Sequence, residues 1–222
     1  MKLLALDAAG NSSSVALSID GQIGYRDEPG EGRGGRQLIA MSDVLLADAG
    51  LPLALLDAIV FGCGPGAFTG VRLAAGVAQG LAFGADLGVI PVSDLAMLAQ
   101  GAHREQGAER LMVCVDAHMN EVFSGAFRIG AGGLAGPVDD ERLSAPDDLE
   151  LPDSSQWFGV GSGWAVYADT LVGLNSKLSG CEPQREPHAR DACALAARAC
   201  ADGKILPPES ALPVYLRGKT AW

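Results

Sequence analysis

The segment Leu4-Ala5-Leu6-Asp7-Ala8 returns 109 residues later as Val113-Cys114-Val115-Asp116-Ala117, an apolar run closed both times by Asp-Ala. Such a run, stopped by a carboxylate, is the pattern of a buried strand ending at a turn. The parallel continues downstream. Ser14–Ile19 and Val122–Phe127 each follow as an alternating strand, and the strand running into glycines at Ile59–Gly64 is echoed at Trp157–Gly163. Three features recurring in one order, where chance would scatter them, predict a duplicated unit and confine the chain to folds whose second half repeats the first.

In the first half, Leu3–Ala8, Ser14–Ile19 and Gln22–Asp27 read as strands, with Asp20-Gly21 as the hairpin turn between the last two. A helix over Gln37–Ala49, a strand over Ala58–Gly62, a helix over Val71–Ala85, a strand over Val89–Val92 and a helix over Leu95–Gln106 follow. Three antiparallel strands and then alternating helices and strands predict an α/β layered domain with apolar parallel strands at its centre. A boundary near Gly107–Arg110 divides the chain into domains 1–107 and 108–222. Gly130–Asp153, rich in Gly, Pro and acids, predicts irregular chain with one strand at Glu141–Ser144. Pro187–Ala201 predicts an Ala-rich helix stopped by Gly203, and Pro213–Arg217 an extended tail that packs back on the first domain through Val214 and Leu216.

The composition, 48% hydrophobic and 19% charged over 222 residues, excludes disorder and supports one large or two small domains. The apolar runs fall far short of the roughly 20 residues that span a bilayer, so no membrane segment is expected. Met1-Lys2 and the short run after it are too brief for a signal-peptide core, which predicts a cytoplasmic chain. Sixteen Lys and Arg against twenty-seven Asp and Glu give a net charge of −11, which repels a phosphate backbone unless cations cluster. The densest stretch, Arg33–Arg36, holds only two arginines. A role toward nucleic acid is therefore expected through another subunit. Five cysteines with no C-x-x-C pair predict reduced core thiols, Cys193 and Cys200 sharing one helix face.

The sharpest local signal is Gly62-Cys63-Gly64-Pro65-Gly66-Ala67-Phe68-Thr69-Gly70-Val71-Arg72. No Gly-Lys-Ser/Thr follows, so it is not a Walker A loop, and Thr69 breaks G-x-G-x-x-G. Thr69 is expected to cap the next helix, and Arg72 to sit in its first turn. Two uses stand side by side: an anion site built from Asp7, Gly64, Gly66 and the second-half Asp116, or a purely structural turn. The helix it opens carries Gly76, Gly80 and Gly84 at four-residue spacing beside the apolar stripe Leu73, Val77, Leu81. Each interior glycine costs about 0.8–1 kcal/mol relative to Ala, so something must approach that face closely, either a helix of the same domain or, as favoured here, a partner helix. His103, His118 and His188 are scattered without H-x-x-x-H or H-E-x-x-H, and no G-x-S-x-G occurs. Asp116 and Glu121 flank a turn and could share a cation, although such pairs are more often solvated. No catalytic or metal-ligating set is assigned.

The block Gly62–Arg72, preceded by Asp7-Ala8-Ala9 and followed by D-A-x-M-x-E-V-F from Asp116, V-G-S-G-W from Val160 and P-V-Y-L-R from Pro213, resembles the TsaB (YeaZ) family from Leu4 to Trp222. The resemblance implies two duplicated actin-like (ASKHA, RNase H-like) domains. It implies a non-catalytic scaffold and dimerisation subunit of the bacterial machinery that makes N6-threonylcarbamoyladenosine in tRNA. The implied partners are a TsaD-like catalytic subunit, a TsaE-like ATPase and, when the chain is alone, a second copy. It implies no cofactor of this chain's own; ATP and a metal belong to the partner subunits, and tRNA is met through the complex. The interface is then expected on the two N-terminal-domain helices, at Gln37, Met41, Leu45, Phe68, Thr69, Arg72, Gly76, Gly80 and Gly84. The chain departs from its relatives where Ala8-Ala9-Gly10 replaces T-[AS]-[TS], where Gly34-Gly35-Arg36 replaces H-[TS]-x, and where Ala67 replaces the commoner Ser. The alternative is an actin-like ATPase or phosphotransferase using Asp7 and Asp116; a peptidase lacks both zinc ligands and a triad.

Overall fold

The computed structural model describes residues 1–29 and 34–217; Arg33 of the basic stretch and Trp222 of the family resemblance lie outside the described residues. The first sheet is built from β1 (Lys2–Asp7), β2 (Ser12–Ile19), β3 (Gln22–Pro29), β4 (Ala58–Gly62) and β5 (Val89–Val92), in the order β3-β2-β1-β4-β5. β1 runs antiparallel to β2, pairing Leu4 with Leu17, and parallel to β4, pairing Leu4 with Ile59. Its unbroken apolar run reflects cover on both faces. Leu4 and Leu6 share a core with Leu38, Met41 and Leu45 of α1 (Gly34–Asp48) and with Ala75, Ala78 and Ala82 of α2 (Phe68–Ala85). Leu3 and Ala5 face the other way, onto Met97 of α3 (Asp94–Gln106) and onto a helix from the far end of the chain.

The second sheet comprises β6 (Arg110–Asp116), β7 (Val122–Ile129), β8 (Ala135–Pro137), β9 (Arg142–Ser144), β10 (Trp157–Val160) and β11 (Leu178–Glu182), in the order β11-β10-β6-β7-β8 with β9 also on β7. Matched outward from the first strand, the two sheets have the same connectivity. β6 is antiparallel to β7 as β1 is to β2, and parallel to β10 as β1 is to β4. Asp7 and Asp116 end the equivalent strands, and Gly64 and Gly161, after the equivalent β4 and β10, both take φ of +100°. The chain is a pair of duplicated α/β units, as the sequence repeat predicts. Two short helices, α4 (Gly163–Val166) and α5 (Val172–Asn175), complete the second.

The two edges of the first sheet are closed by different means. β5 is bridged by Leu206, against which Gly88 leaves no room for a side chain. β3 is protected by Arg26, Asp27, Glu28 and Pro29, charges and a proline that discourage edge pairing.

The compact units are Met1–Met97 with Pro187–Val214, and Leu98–Glu186 with the described residues from Tyr215 on. This differs from the expected division at 1–107 and 108–222. The reason is α6 (Ala189–Ala201), whose buried stripe Ala189, Ala192, Cys193 and Ala196 covers the second face of the first sheet. Cys193 and the half-buried Cys200 do share that face. Only the start of the expected tail stays with the first unit: Val214 N donates to Cys63 O at 2.7 Å while the Val214 side chain, expected to pack, is exposed, and Tyr215 to Arg217, with the half-buried Leu216, group with the second unit.

Candidate functional site

The glycine turn is a packed joint. Gly62 ends β4 between two buried carboxylates, Asp7 and Asp94, and a Cβ there would overlap both. Gly64 N donates to Asp94 Oδ2 at 2.5 Å, and Asp94 N returns a bond to Gly64 O at 3.1 Å, so the turn and the start of α3 are locked together. Gly66 lies against Ala9, and Gly70 against the carbonyl of Ala8, where no Cβ fits. Ala67 N donates to Ala9 O at 3.1 Å, and Ala9 N to Asp7 Oδ1 at 3.3 Å. The small residues that replace the relatives' T-[AS]-[TS] thus mesh with the glycines of the turn. Of the expected anion-site residues, Asp7 stands against Gly62 and Ala9, Gly64 bonds Asp94 and Gly66 lies against Ala9, all in the first unit, whereas Asp116 belongs to the other.

α2 begins at Phe68 with Ala67 as N-cap and no side-chain cap; Thr69, expected to cap, is instead its second residue. Arg72 is the fifth, not in the first turn, and lays its guanidinium 3.3 Å over the Phe68 ring, a cation–π contact. Val71, Ala74, Ala75, Ala78 and Ala82 turn inward, while Phe68, Arg72, Gly76, Gly80, Phe83 and Gly84 face solvent, Phe68 at 61% exposure. A Cβ added at Gly76, Gly80 or Gly84 would meet nothing within 4 Å, so the close approach those glycines imply is not made among the described residues. A groove of about 330 Å³ runs along the face, lined by Ile39 of α1 and by Arg72, Leu73, Gly76, Val77, Gly80 and Leu81.

Two expected interface residues are corrected. Met41 (3% exposed) and Leu45 (7%) lie in the first core, because the inner stripe of α1 runs through Leu38, Met41 and Leu45. Gln37 is half-buried, its Nε2 donating to Glu28 Oε2 at 3.2 Å. The exposed large apolar residues of α1 and α2 are instead Ile39, which lines the groove, and Val44, Phe68 and Phe83. The available signal was that α1 carries Leu38, Ile39, Met41, Val44, Leu45 and Leu46, more apolar positions than one buried stripe needs.

In the second unit Asp116 Oδ1 accepts from Tyr167 Oη at 2.8 Å and from His118 N at 2.9 Å, and Asp116 Oδ2 lies 3.2 Å from His118 Nδ1. Desolvation, and then the bond to Asp116, push the Tyr167 phenol above its ordinary range. Glu121 pairs with Arg217 at 2.5 Å rather than sharing a cation with Asp116. Burial raises the Cys114 and Cys193 thiols to about 12, far from a nucleophile's range. Among the described residues no three His, Cys, Asp or Glu side chains are grouped to hold a metal ion, and no helix is long and apolar enough to cross a membrane.

Comparison with known proteins places these features in one lineage. Residues 35–179 match the family described as TsaD, tRNA N6-adenosine threonylcarbamoyltransferase. The chain is 36% identical over its whole length to the Escherichia coli tRNA threonylcarbamoyladenosine biosynthesis protein TsaB, covering 97% of that protein. It is 36% identical to the Haemophilus influenzae TsaB, again over its whole length and 96% of the relative. The solved structure of YeaZ from Pseudomonas aeruginosa superposes with a TM-score of 0.89 at 41% identity, covering 97% of this chain and 99% of that one.

Proposed function

The chain belongs to the TsaB (YeaZ) family of tRNA threonylcarbamoyladenosine biosynthesis proteins, and from that premise we propose that it is a non-catalytic scaffold of the assembly that makes the modification, acting in the cytoplasm. Its partner is a TsaD-like catalytic subunit, joined by a TsaE-like ATPase; ATP and a metal are held by those subunits, and tRNA is met through the complex. A second copy takes the same face when the chain is alone.

The observation that carries this proposal is the open glycine face of α2. Gly76, Gly80 and Gly84 weaken the helix by about 2.5–3 kcal/mol in total relative to Ala, and no side chain among the described residues makes use of the space they clear. A helix laid across the groove would bring its backbone close, exchange solvent for Ile39, Leu73 and Val77, and recover that loss through dispersion and apolar burial. The glycine turn supports the scaffold assignment from the other side. Its conformation is spent on packing against Ala8 and Ala9, with Asp7 wholly buried.

The test is a size measurement of the chain alone and mixed with its own TsaD-like subunit, followed by a threonylcarbamoyl-transfer assay with and without it. Requirement without turnover by the chain alone is expected. Gly80→Leu, at a position with open space around it, is expected to leave the circular dichroism unchanged and to weaken the complex more than about ten-fold. Undiminished pull-down by the folded variant, or ATP hydrolysis by the purified chain that Asp7→Ala abolishes, would overturn the assignment.

A further inference from the structure

The scaffold role makes no use of two of the sequence motifs, Asp116–Phe123 and Pro213–Arg217, yet in the second unit the first is tied to Arg217 at the end of the other. The guanidinium of Arg217 lies against the turn between β6 and β7. Its Nη2 donates to Ala117 O at 2.9 Å, to His118 O at 3.4 Å and to Glu121 Oε2 at 2.5 Å, and its Nη1 reaches Met119 Sδ at 3.2 Å. One side chain of the tail therefore touches four residues of the other motif.

The turn it touches is conformationally unfavourable. His118, Met119 and Asn120 have φ of 59°, 56° and 60°, three successive non-glycine residues in the left-handed region. That region crowds Cβ against the following carbonyl; Asn and His tolerate it better than most, Met does not, and three such residues in succession add the cost three times. Packing does not hold them there, because the Met119 side chain is 83% exposed and that of His118 87%. The turn's other bonds gather at its two ends: Ala117 N to Glu121 O at 2.9 Å, Glu121 N to His118 O at 3.1 Å, His118 N to Asp116 Oδ1 at 2.9 Å with His118 Nδ1 3.2 Å from Asp116 Oδ2, and Tyr167 Oη to Asp116 Oδ1 at 2.8 Å and to Glu121 O at 3.5 Å. Two of the carbonyls within this small ring of chain, those of Ala117 and His118, face Arg217.

We infer that Arg217 is a clamp: docking of the tail and the left-handed form of the His118–Asn120 turn are a single two-state device, each present only with the other. A planar, forked cation is what such a clamp needs, since it serves carbonyls and a carboxylate at once; a lysine ammonium can pair with Glu121 but not span the set. Release of the tail lets the turn relax toward ordinary φ and carries His118 and Met119 away from their present positions.

Hydrogen exchange of backbone amides in the full chain tests the clamp. Arg217→Ala is expected to accelerate exchange at Ala117, His118 and Glu121 about ten-fold or more, with β1 and β4 in the other unit unchanged. Arg217→Lys and Glu121→Gln are expected to fall between this variant and the parent. Adding Met119→Gly to Arg217→Ala is expected to slow the three amides again, because glycine takes the left-handed region without penalty. Unchanged exchange in Arg217→Ala would overturn the clamp, as would acceleration spread evenly along β6 and β7, or failure of Met119→Gly to restore protection.

Discussion

Gly70 and Gly80 lie ten residues apart on α2, and a methyl group would have opposite effects at the two. At Gly70 it would overlap the carbonyl of Ala8, a backbone atom with nowhere to go, so Gly70→Ala is expected to destabilise the chain by about 1–3 kcal/mol. At Gly80 it would meet nothing among the described residues, so Gly80→Ala is expected to stabilise the monomer, at concentrations too low for self-association, by about 0.5–1 kcal/mol through helix propensity alone, and to weaken self-association at higher concentration. Urea midpoints followed by circular dichroism across a dilution series distinguish the two, and a loss of stability in dilute Gly80→Ala would mean that the face is covered within the monomer itself. Arg185 carries a charge effect of similar size in the second unit. Its Nε donates to Glu182 Oε2 at 2.6 Å, and its Nη2 bonds Glu105 as well. The bonds from Arg185 hold both carboxyls below their ordinary range. The stabilisation is therefore complete above that range and is lost as pH falls through the lowered values. Arg185→Met is expected to destabilise the unit by about 1–3 kcal/mol at pH 7, mostly through Glu182 because Glu105 is half-exposed, and by much less at pH 3. Fluorescence of the buried Trp157 and Trp164 reports it, and a difference independent of pH would exclude the ion pairs as its source. At this scale the glycine spacing was legible as a demand for close approach, and it is the open space around Gly76, Gly80 and Gly84 that argues against a helix of the same domain. Met41 and Leu45 were not legible, since an apolar residue on an amphipathic helix carries no mark saying whether its own core or a partner receives it.

Elements were legible where the hydrophobic period was clean. β1, β2, β4 and β5 and helices α1 to α3 fall within a few residues of the expected segments, because buried parallel strands and their covering helices impose continuous or 3.6-residue apolar patterns. β8 and β11 were missed for a physical reason. β11 reads Leu178-Ser179-Gly180-Cys181-Glu182, without alternation, and its Gly180 is there to accommodate the Phe158 ring. The start of α6 was placed at Pro187 rather than Ala189 because its N-cap is a histidine. His188 Nδ1 accepts from Arg190 N at 3.0 Å, doing the work usually given to Ser, Thr, Asp or Asn. His188→Ala is expected to cost about 1 kcal/mol, measured by urea unfolding, and His188→Asn to recover it to within a few tenths. Equal stability of the alanine variant and the parent would show that the ring packs at this helix end without capping it. The cap matters beyond α6 itself, since that helix supplies the second cover of the first sheet.

Across the whole molecule, duplication was legible as the 109-residue return of one strand, and the shared strand order of the two sheets accounts for it. The return of α6 to the first unit was not, because a covering helix is chosen by the sheet face it fills and not by its place along the chain. Charge acts at the same scale. Binding to a nucleic-acid backbone is driven by release of condensed counterions when cations neutralise phosphates, which makes affinity fall steeply with salt. A chain with a net charge of −11 has to overcome its own repulsion before any such release, and several of its cations are already committed, among them Arg26 to Asp48, Arg128 to Asp153, Arg185 to Glu182 and Arg217 to Glu121. The purified chain is therefore expected to retain no tRNA in a filter-binding or gel-shift assay at physiological salt, and to show little change in retention between about 50 and 200 mM salt. Addition of the TsaD-like subunit is expected to produce binding whose salt slope equals that of the partner measured alone, because the scaffold would contribute shape rather than phosphate contacts. A steep salt-dependent affinity of the chain by itself would show that its free cations gather on one face, and would move tRNA from an indirect partner to a direct one.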